Sequence, residues 1–95
     1  MAKVKVKTFS VIRDVLGAET VEIDVNHPET VDGLFSTLVQ RYGKPFKNLL
    51  WDSETGEMVP FLMTLNKTLI RSTVDMNRGI KDGDEVAIIF PVGGG

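Results

Sequence analysis

Two segments near the start of the chain alternate between apolar and polar residues, and this period of two favours β-strands. Residues 3–9 read Lys-Val-Lys-Val-Lys-Thr-Phe, and residues 20–25 read Thr-Val-Glu-Ile-Asp-Val. Because successive side chains of a strand point to opposite faces, each segment has one face to bury, with Val4 and Val6 pointing inward. We predict that the two strands pair as a hairpin around a short helix over residues 10–16.

The longest helix is predicted between Thr30 and Tyr42. Its apolar residues recur at spacings of three and four and form one stripe, made of Val31, Leu34, Phe35, Leu38, Val39 and Tyr42. Thr30 is a suitable N-cap, and Gly43 and Pro45 follow where the helix should end. A helix with a single apolar face must pack against another layer, and the predicted strands supply that layer.

The second half of the chain carries signals for further strands. Residues 61–65 place Phe61, Met63 and Leu65 on one face, and an Asn-Lys pair at residues 66–67 turns the chain into residues 68–70. A second turn, Lys-Asp-Gly-Asp, precedes a last strand that ends at residue 90. Residues 46–60 allow either a short helix or a strand-like cap on the core, followed by a polar turn.

The order of these elements predicts an α+β fold of the β-grasp type. In this arrangement a mixed sheet of four or five strands is crossed by one main helix, and the first and last strands lie side by side at the sheet centre. A chain of 95 residues with 42% hydrophobic residues fits one domain, which we assign to residues 1–92. Residues 93–95 then form a flexible tail.

Composition excludes several classes of function. Thirteen acidic residues against eleven basic ones give a net charge of −2, which argues against a nucleic-acid or membrane-surface partner. The absence of cysteine excludes a disulfide framework, a thiolate metal site and a cysteine nucleophile within this chain. The single histidine, His27, lacks companions for a metal or catalytic site. No apolar run approaches the length that spans a membrane, so we expect a cytoplasmic protein.

The sequence ends in three glycines, Gly93, Gly94 and Gly95, directly behind the last predicted strand. Glycine loses the most backbone entropy on ordering, so we expect this tail to stay mobile and extended. Without Cβ atoms it is also the thinnest peptide that can enter a narrow channel. The tail could therefore deliver a terminal carboxylate into the active site of another protein; the alternatives are a frayed end or a cloning remnant.

Three features together resemble the ubiquitin-like sulfur carriers of the MoaD and ThiS type and the small archaeal modifier proteins. They are the Asn66-Lys67 turn, the run Lys-Asp-Gly-Asp-Glu-Val-Ala over residues 81–87, and the terminal Gly94-Gly95 pair. The resemblance implies that an E1-like enzyme, using ATP and Mg²⁺, adenylates the carboxylate of Gly95. It also implies that the chain binds no cofactor and is itself a carrier or modifier rather than an enzyme.

The resemblance leaves more than one fate for the activated carboxylate. A sulfur donor would convert it to a thiocarboxylate that serves the large subunit of molybdopterin synthase. Alternatively, a lysine of a target protein would attack the carbonyl and form an isopeptide bond, and one protein could do both. A β-grasp interaction domain with an inert tail is a third possibility.

A surface for these partners is predicted from strand parity. If Val4 and Val6 are buried, then Phe9 lies on the outward face of the sheet, and the same argument places Leu62 and Ile89 there. Three apolar residues on adjoining strands would mark a protein-binding surface. Val92 and Gly93 would lead from this surface into the reactive glycines.

Overall fold

The computed structural model describes residues 2–8, 10–26, 29–57, 59, 61–71 and 74–89. Within these residues no helix has the length and apolarity needed to cross a membrane. Along the chain the elements are β1 (Ala2–Thr8), α1 (Ser10–Leu16), β2 (Thr20–Val25), α2 (Val31–Tyr42), α3 (Lys44–Leu50), β3 (Leu62–Leu65), β4 (Thr68–Ile70) and β5 (Glu85–Ile89).

The five strands form one mixed sheet in the order β2-β1-β5-β3-β4. The first strand runs parallel to the last, and the other neighbouring pairs are antiparallel. The predicted α+β architecture, with the first and last strands adjacent at the centre, is confirmed. The β1–β2 hairpin and the strand pair after it also agree with the sequence analysis.

Strand parity places the core on one side of the sheet. In β1 the residues alternate regularly between buried and exposed, and Val4 and Val6 are fully buried. Val4 lies across from Ile23 in β2, whereas Val6 lies between Val21 in β2 and Val86 in β5. These cross-strand apolar pairs form the floor of the core, on which the helices pack.

The main helix, α2, covers this floor and is capped at both ends. The Thr30 hydroxyl oxygen accepts a hydrogen bond from the Gly33 amide at 3.1 Å, as an N-cap should. At the other end Gly43 has a φ of 72°, and its amide donates to the Val39 carbonyl at 2.8 Å. The buried residues of the helix are Val31, Gly33, Leu34, Phe35 and Leu38, so its apolar stripe faces the sheet.

The segment for which the sequence allows either a helix or a strand-like cap begins in a third helix, α3. Pro45 ends α2 as predicted, and it also lies in the first turn of α3, where its missing N–H is tolerated. Phe46 and Leu50 are fully buried, and the ring of Phe46 meets that of Phe35 edge to face at a centroid distance of 6.3 Å. The helix thus extends the core rather than capping it as a strand.

The polar turn predicted after this helix is present. The Asp52 carboxylate accepts a hydrogen bond from the Glu54 amide at 2.8 Å, and the Asp52 amide donates to the Glu57 carbonyl at 2.8 Å. Such side-chain-to-backbone bonds are the reason that aspartate favours turns. The turn reverses the chain toward β3.

Candidate docking face on the sheet

Leu62 and Ile89 are direct neighbours on the outward face of the sheet. They are Cα partners in the antiparallel β3–β5 pair, so their side chains lie on the same side of the sheet. The Leu62 side chain is 51% exposed, and Ile89 is partly buried. The third predicted member, Phe9, lies outside the described residues.

The parity of the last strand agrees with this placement. Val86 and Ile88 are fully buried, whereas the alternate residues Glu85, Ala87 and Ile89 are only partly buried. Val92 and Gly93, as well as Gly94 and Gly95, also lie outside the described residues. The binding role of Leu62 and Ile89 therefore stays a prediction that is compatible with their position.

The apolar surface continues toward the sheet edge at a residue that sequence reasoning missed. Ala87 lies across from Thr64 in β3, and Thr64 lies across from Leu69 in β4. Leu69 is 61% exposed, more than any core-facing position would be. We use the name docking face for Leu62, Leu69, Ala87 and Ile89. A strand of three residues is too short to show its parity in sequence, and only the register reveals that Leu69 belongs here.

Charged residues occupy the other half of the same outward surface. Lys5 lies between Glu22 of β2 and Glu85 of β5, and Lys3 lies across from Asp24. Lys7, across from Ala87, marks the border between the two halves. An apolar centre beside a polar rim is the usual anatomy of a protein-binding surface. The sheet thus offers such a surface on β3–β5 and a charged ladder on β1–β2.

A hydrogen-bond network fixes the start of β5 and with it the register of the docking face. The Asp84 carboxylate is buried and accepts bonds from the Asn66 side-chain amide and the Lys81 backbone amide, both at 2.9 Å. The Asn66 side-chain oxygen in turn accepts from the Glu85 amide at 2.9 Å. Asn66 and Lys67 have φ values of 50° and 72°, which a tight hairpin turn requires. The turn and the last strand are therefore linked directly.

The described residues contain no candidate metal site. Among them, no group of three or more histidine, aspartate or glutamate side chains could hold a metal ion. The pKa of Asp75 is lowered, because its carboxylate accepts a hydrogen bond from the Arg71 amide at 2.7 Å in the segment that follows β4.

Comparison with known proteins agrees with these features. The family model of the ThiS family matches residues 6–95. The chain belongs to the ThiS family. Among curated proteins no sequence gives a significant match.

Solved structures resemble this ThiS-family chain over nearly its whole length. Small archaeal modifier protein 1 from Methanosarcina acetivorans has a TM-score of 0.80 and 26% identity, covering 100% of this chain and 98% of that one. A candidate molybdopterin converting factor subunit 1 from Pyrococcus furiosus has a TM-score of 0.72 and 26% identity, covering 97% and 100%. CysO from Mycobacterium tuberculosis has a TM-score of 0.68 and 25% identity, covering 94% and 99%.

These matches establish the ubiquitin-like β-grasp fold for the ThiS-family chain. The neighbours are small ubiquitin-like carriers and modifiers, and this agreement supports a sulfur carrier or modifier role rather than that of an enzyme. The same fold supports many functions, so a function more specific than carrier or modifier has to be argued from the chemistry of particular residues.

Proposed function

We propose that this chain is a sulfur carrier whose Gly95 carboxylate is activated by an E1-like enzyme. The carboxylate attacks the α-phosphorus of ATP, pyrophosphate leaves with Mg²⁺ assistance, and an acyl-adenylate forms. The terminal sulfur of a donor persulfide then attacks the carbonyl and AMP leaves, which gives an acyl disulfide. A thiol attacks the donor's sulfur, the S–S bond to the acyl sulfur breaks, and the thiocarboxylate is released while the thiol and the donor form a disulfide. The observation that carries this proposal is the ThiS-family match, which extends through Gly94 and Gly95.

The activation step is needed because a carboxylate is a poor electrophile. The mixed anhydride with AMP supplies a good leaving group, and two terminal glycines leave the carbonyl open to the nucleophile from both sides. All catalytic residues, the ATP and the metal belong to the partner enzyme in this scheme. The chain contributes the carboxylate and a surface by which the partner recognises it.

The docking face supports the proposal by its position. Ile89, at the end of β5, precedes Gly95 by six residues in the sequence. A partner bound to Leu62 and Ile89 would therefore hold the start of the tail close to its active site. Anchoring the folded domain first lowers the entropy that must be lost when the glycines bind.

The first fate that we propose for the thiocarboxylate is sulfur transfer in a synthase whose large subunit accepts the tail. The structural similarity to the candidate molybdopterin converting factor subunit from Pyrococcus furiosus supports this choice. The large subunit of molybdopterin synthase is then the expected partner.

The second candidate function is protein modification, in which a target lysine attacks the adenylated carbonyl. The similarity to the archaeal modifier from Methanosarcina acetivorans favours it, with a TM-score of 0.80 against 0.72 for the converting-factor subunit. Both functions share the activation step, so they differ only in the nucleophile that displaces AMP. We expect both to take place in the cytoplasm.

Mass spectrometry of the protein purified from its native cell tests these proposals. Exchange of one oxygen for sulfur at Gly95 is the expected result for the carrier. For the modifier we expect lysines of other proteins that carry the C-terminal tryptic fragment, residues 82–95, because Lys81 is the last basic residue of the chain. A variant that lacks Gly95 is the control and should show neither. An unmodified carboxylate in all of the protein, together with no ATP–pyrophosphate exchange by the cognate E1-like enzyme, would contradict both functions.

A further inference from the structure

The outer edge of β2 presents backbone groups that the sheet does not use. The Thr8 amide donates to the Glu19 carbonyl at 2.8 Å, which fixes the alternation of hydrogen-bonded pairs along β1 and β2. By this alternation Val21, Ile23 and Val25 bond to β1, and the amides and carbonyls of Glu22 and Asp24 point away from it.

Two contacts verify this assignment. On the opposite side, the Lys3 carbonyl accepts from the Gly83 amide at 2.9 Å, so Lys3 points toward β5 and its partner Asp24 points toward the open edge. The Arg41 guanidinium reaches the Glu22 carbonyl from α2 at 3.5 Å, which is possible only if that carbonyl faces the edge. A bond of this length is weak and can be replaced by a shorter one from an incoming amide.

Two of the devices that protect edge strands, a proline and a β-bulge, are absent from β2, and its protection consists of exposed carboxylates, which a basic strand can pair with. Its six residues contain no proline, and its register with β1 advances one residue at a time without a bulge. The opposite edge strand, β4, has three residues and follows a tight turn, so it offers a much shorter template. Strand addition is therefore favoured at β2.

The side chains along this edge specify the charge of the added strand. Across the outward face Glu22, Lys5 and Glu85 alternate in sign, and Asp24 lies beside Lys3. Each row ends on an acidic residue at the open edge. Opposite charges across a strand pair stabilise the pairing and like charges destabilise it, so the next strand should carry basic residues.

The same rule argues against a second copy of this chain as the occupant. In an antiparallel pairing of two β2 strands about Ile23, Glu22 of one copy would lie opposite Asp24 of the other. Two such like-charge contacts would form at once. A different, basic partner meets no such repulsion.

We propose that the β2 edge binds an extended segment of a partner protein that has lysine or arginine at alternate positions. Its backbone bonds to the amides and carbonyls of Glu22 and Asp24, and its basic side chains lie against the two carboxylates. The intervening apolar side chains lie beside Val21, which is partly exposed. This site is separate from the docking face, because β1 lies between β2 and β5, the nearest strand of that face.

The probe for this site is a blocked Lys-Val-Lys-Val-Lys peptide, added to the ¹⁵N-labelled protein. We expect its titration to shift the amide resonances of Glu22 and Asp24 and to slow their hydrogen exchange, because these amides gain a partner. A Glu-Val-Glu-Val-Glu peptide should bind at least about fivefold more weakly, from two reversed cross-strand charge pairs. No shift at either amide up to millimolar peptide would overturn the proposal.

Two controls separate strand addition from simple charge attraction. The double variant Glu22→Gln with Asp24→Asn should lose about fivefold or more in affinity, whereas Glu85→Gln, which removes an acid from the sheet centre, should stay within about twofold. A lysine peptide methylated on its edge-facing amides keeps its charge but cannot donate those bonds, so it should not protect Glu22 or Asp24. Equal binding by the methylated peptide, or an equal loss in Glu85→Gln, would refute the site.

Discussion

Leu62 lies directly across from Ile89 in the β3–β5 pair, on the side of the sheet opposite the helices. Their neighbours along the same strands, Met63 and Ile88, are also paired but are fully buried. One residue of register therefore separates the docking face from the core. A shift by one position would bury Leu62 and expose the core residues, so the pair reports directly on the register.

The docking face is tested best at Leu62. Because its side chain is 51% exposed, Leu62→Asp should change the free energy of unfolding by no more than about 0.5 kcal/mol. If Leu62 is a binding hot spot, the same change should weaken binding to the E1-like enzyme by about 2 kcal/mol or more, measured by calorimetry. Ile89→Asp should weaken binding as well but at a greater cost in stability, because Ile89 is partly buried.

Val74 provides the matched control for these variants. It is 60% exposed, similar to Leu62, but it lies outside the strands of the sheet. Val74→Asp introduces the same charge and should leave binding unchanged. Equal weakening by the Val74 and Leu62 variants would show that charge alone, and not the docking face, governs the interaction.

Deletion of Gly95, or of Gly94 and Gly95 together, should abolish adenylation and leave the fold intact. The described part of the last strand ends at Ile89, so every described residue of the sheet is kept. Thermal melting should match that of the full chain, and ATP–pyrophosphate exchange with the cognate E1-like enzyme should fall to background. Undiminished exchange would show that adenylation does not require these glycines.

Leu38 tests the packing of the main helix. Its side chain is fully buried in a core that also contains Val6 and Ile88, so Leu38→Ala should lower the free energy of unfolding by roughly 2–5 kcal/mol. Denaturant titration measures the loss. Gln40→Ala, an exposed change on the same helix, should stay within about 0.5 kcal/mol. Similar losses in both variants would contradict the assigned face of α2.

Sequence patterns predicted the elements whose local signal and tertiary environment agree. The Lys-Val alternation of β1 and the apolar stripe of α2 both extend over enough residues for their periods to be clear. For α3 the sequence allows a short helix or a strand-like cap, because the apolar residues between positions 46 and 51 fit either. The same proline that stops one helix is compatible with the first turn of the next. The backbone of Lys44–Leu50 is helical, and the helix buries Phe46 and Leu50.

The candidate site was predictable only where parity could be counted from long strands. Leu62 and Ile89 follow from the alternation of β3 and β5. Leu69 does not follow from alternation, because its place in the docking face depends on its register with Thr64. That register is set by the Asn66-Lys67 turn and the Asp84 carboxylate. Long-range contacts of this kind leave no periodic trace in the sequence.

A single substitution in the tight turn before β4 should stabilise the protein. Lys67 has a φ of 72°, a left-handed conformation that costs a residue with a Cβ atom about 1–2 kcal/mol. Glycine avoids this strain but loses about 0.5–1 kcal/mol of backbone entropy, so Lys67→Gly should raise the free energy of unfolding by about 0.5–1 kcal/mol. Thr68→Gly, in the adjoining strand, should lower it by a similar amount in the same denaturant titration. Destabilisation by both variants would contradict the positive φ at Lys67.

Asp75 should titrate below the ordinary range of an aspartate. The Arg71 backbone amide donates to its carboxylate at 2.7 Å, and this bond is the main cause of the lowered pKa; the nearby Arg71 guanidinium lowers the pKa further. The stabilisation is present above the unfolded-state pKa and is lost as the pH falls through the lower, folded-state pKa.

Titration of the Asp75 carboxyl carbon by NMR checks this origin. Arg71→Ala removes the guanidinium but keeps the backbone amide, so the pKa of Asp75 should rise only part of the way to its unfolded value. A complete return to that value would instead make the guanidinium the main cause.

The central position of β5 links the order of synthesis to the order of folding. This strand is made after the other four, yet it lies between β1 and β3 and completes both of their pairings. A nascent chain that ends before residue 85 has two half-sheets with no strand to join them. Folding must then bring together segments from opposite ends of the sequence, and contacts between such distant segments form slowly. The docking face, which takes residues from both β3 and β5, therefore forms only after the last strand has joined the sheet.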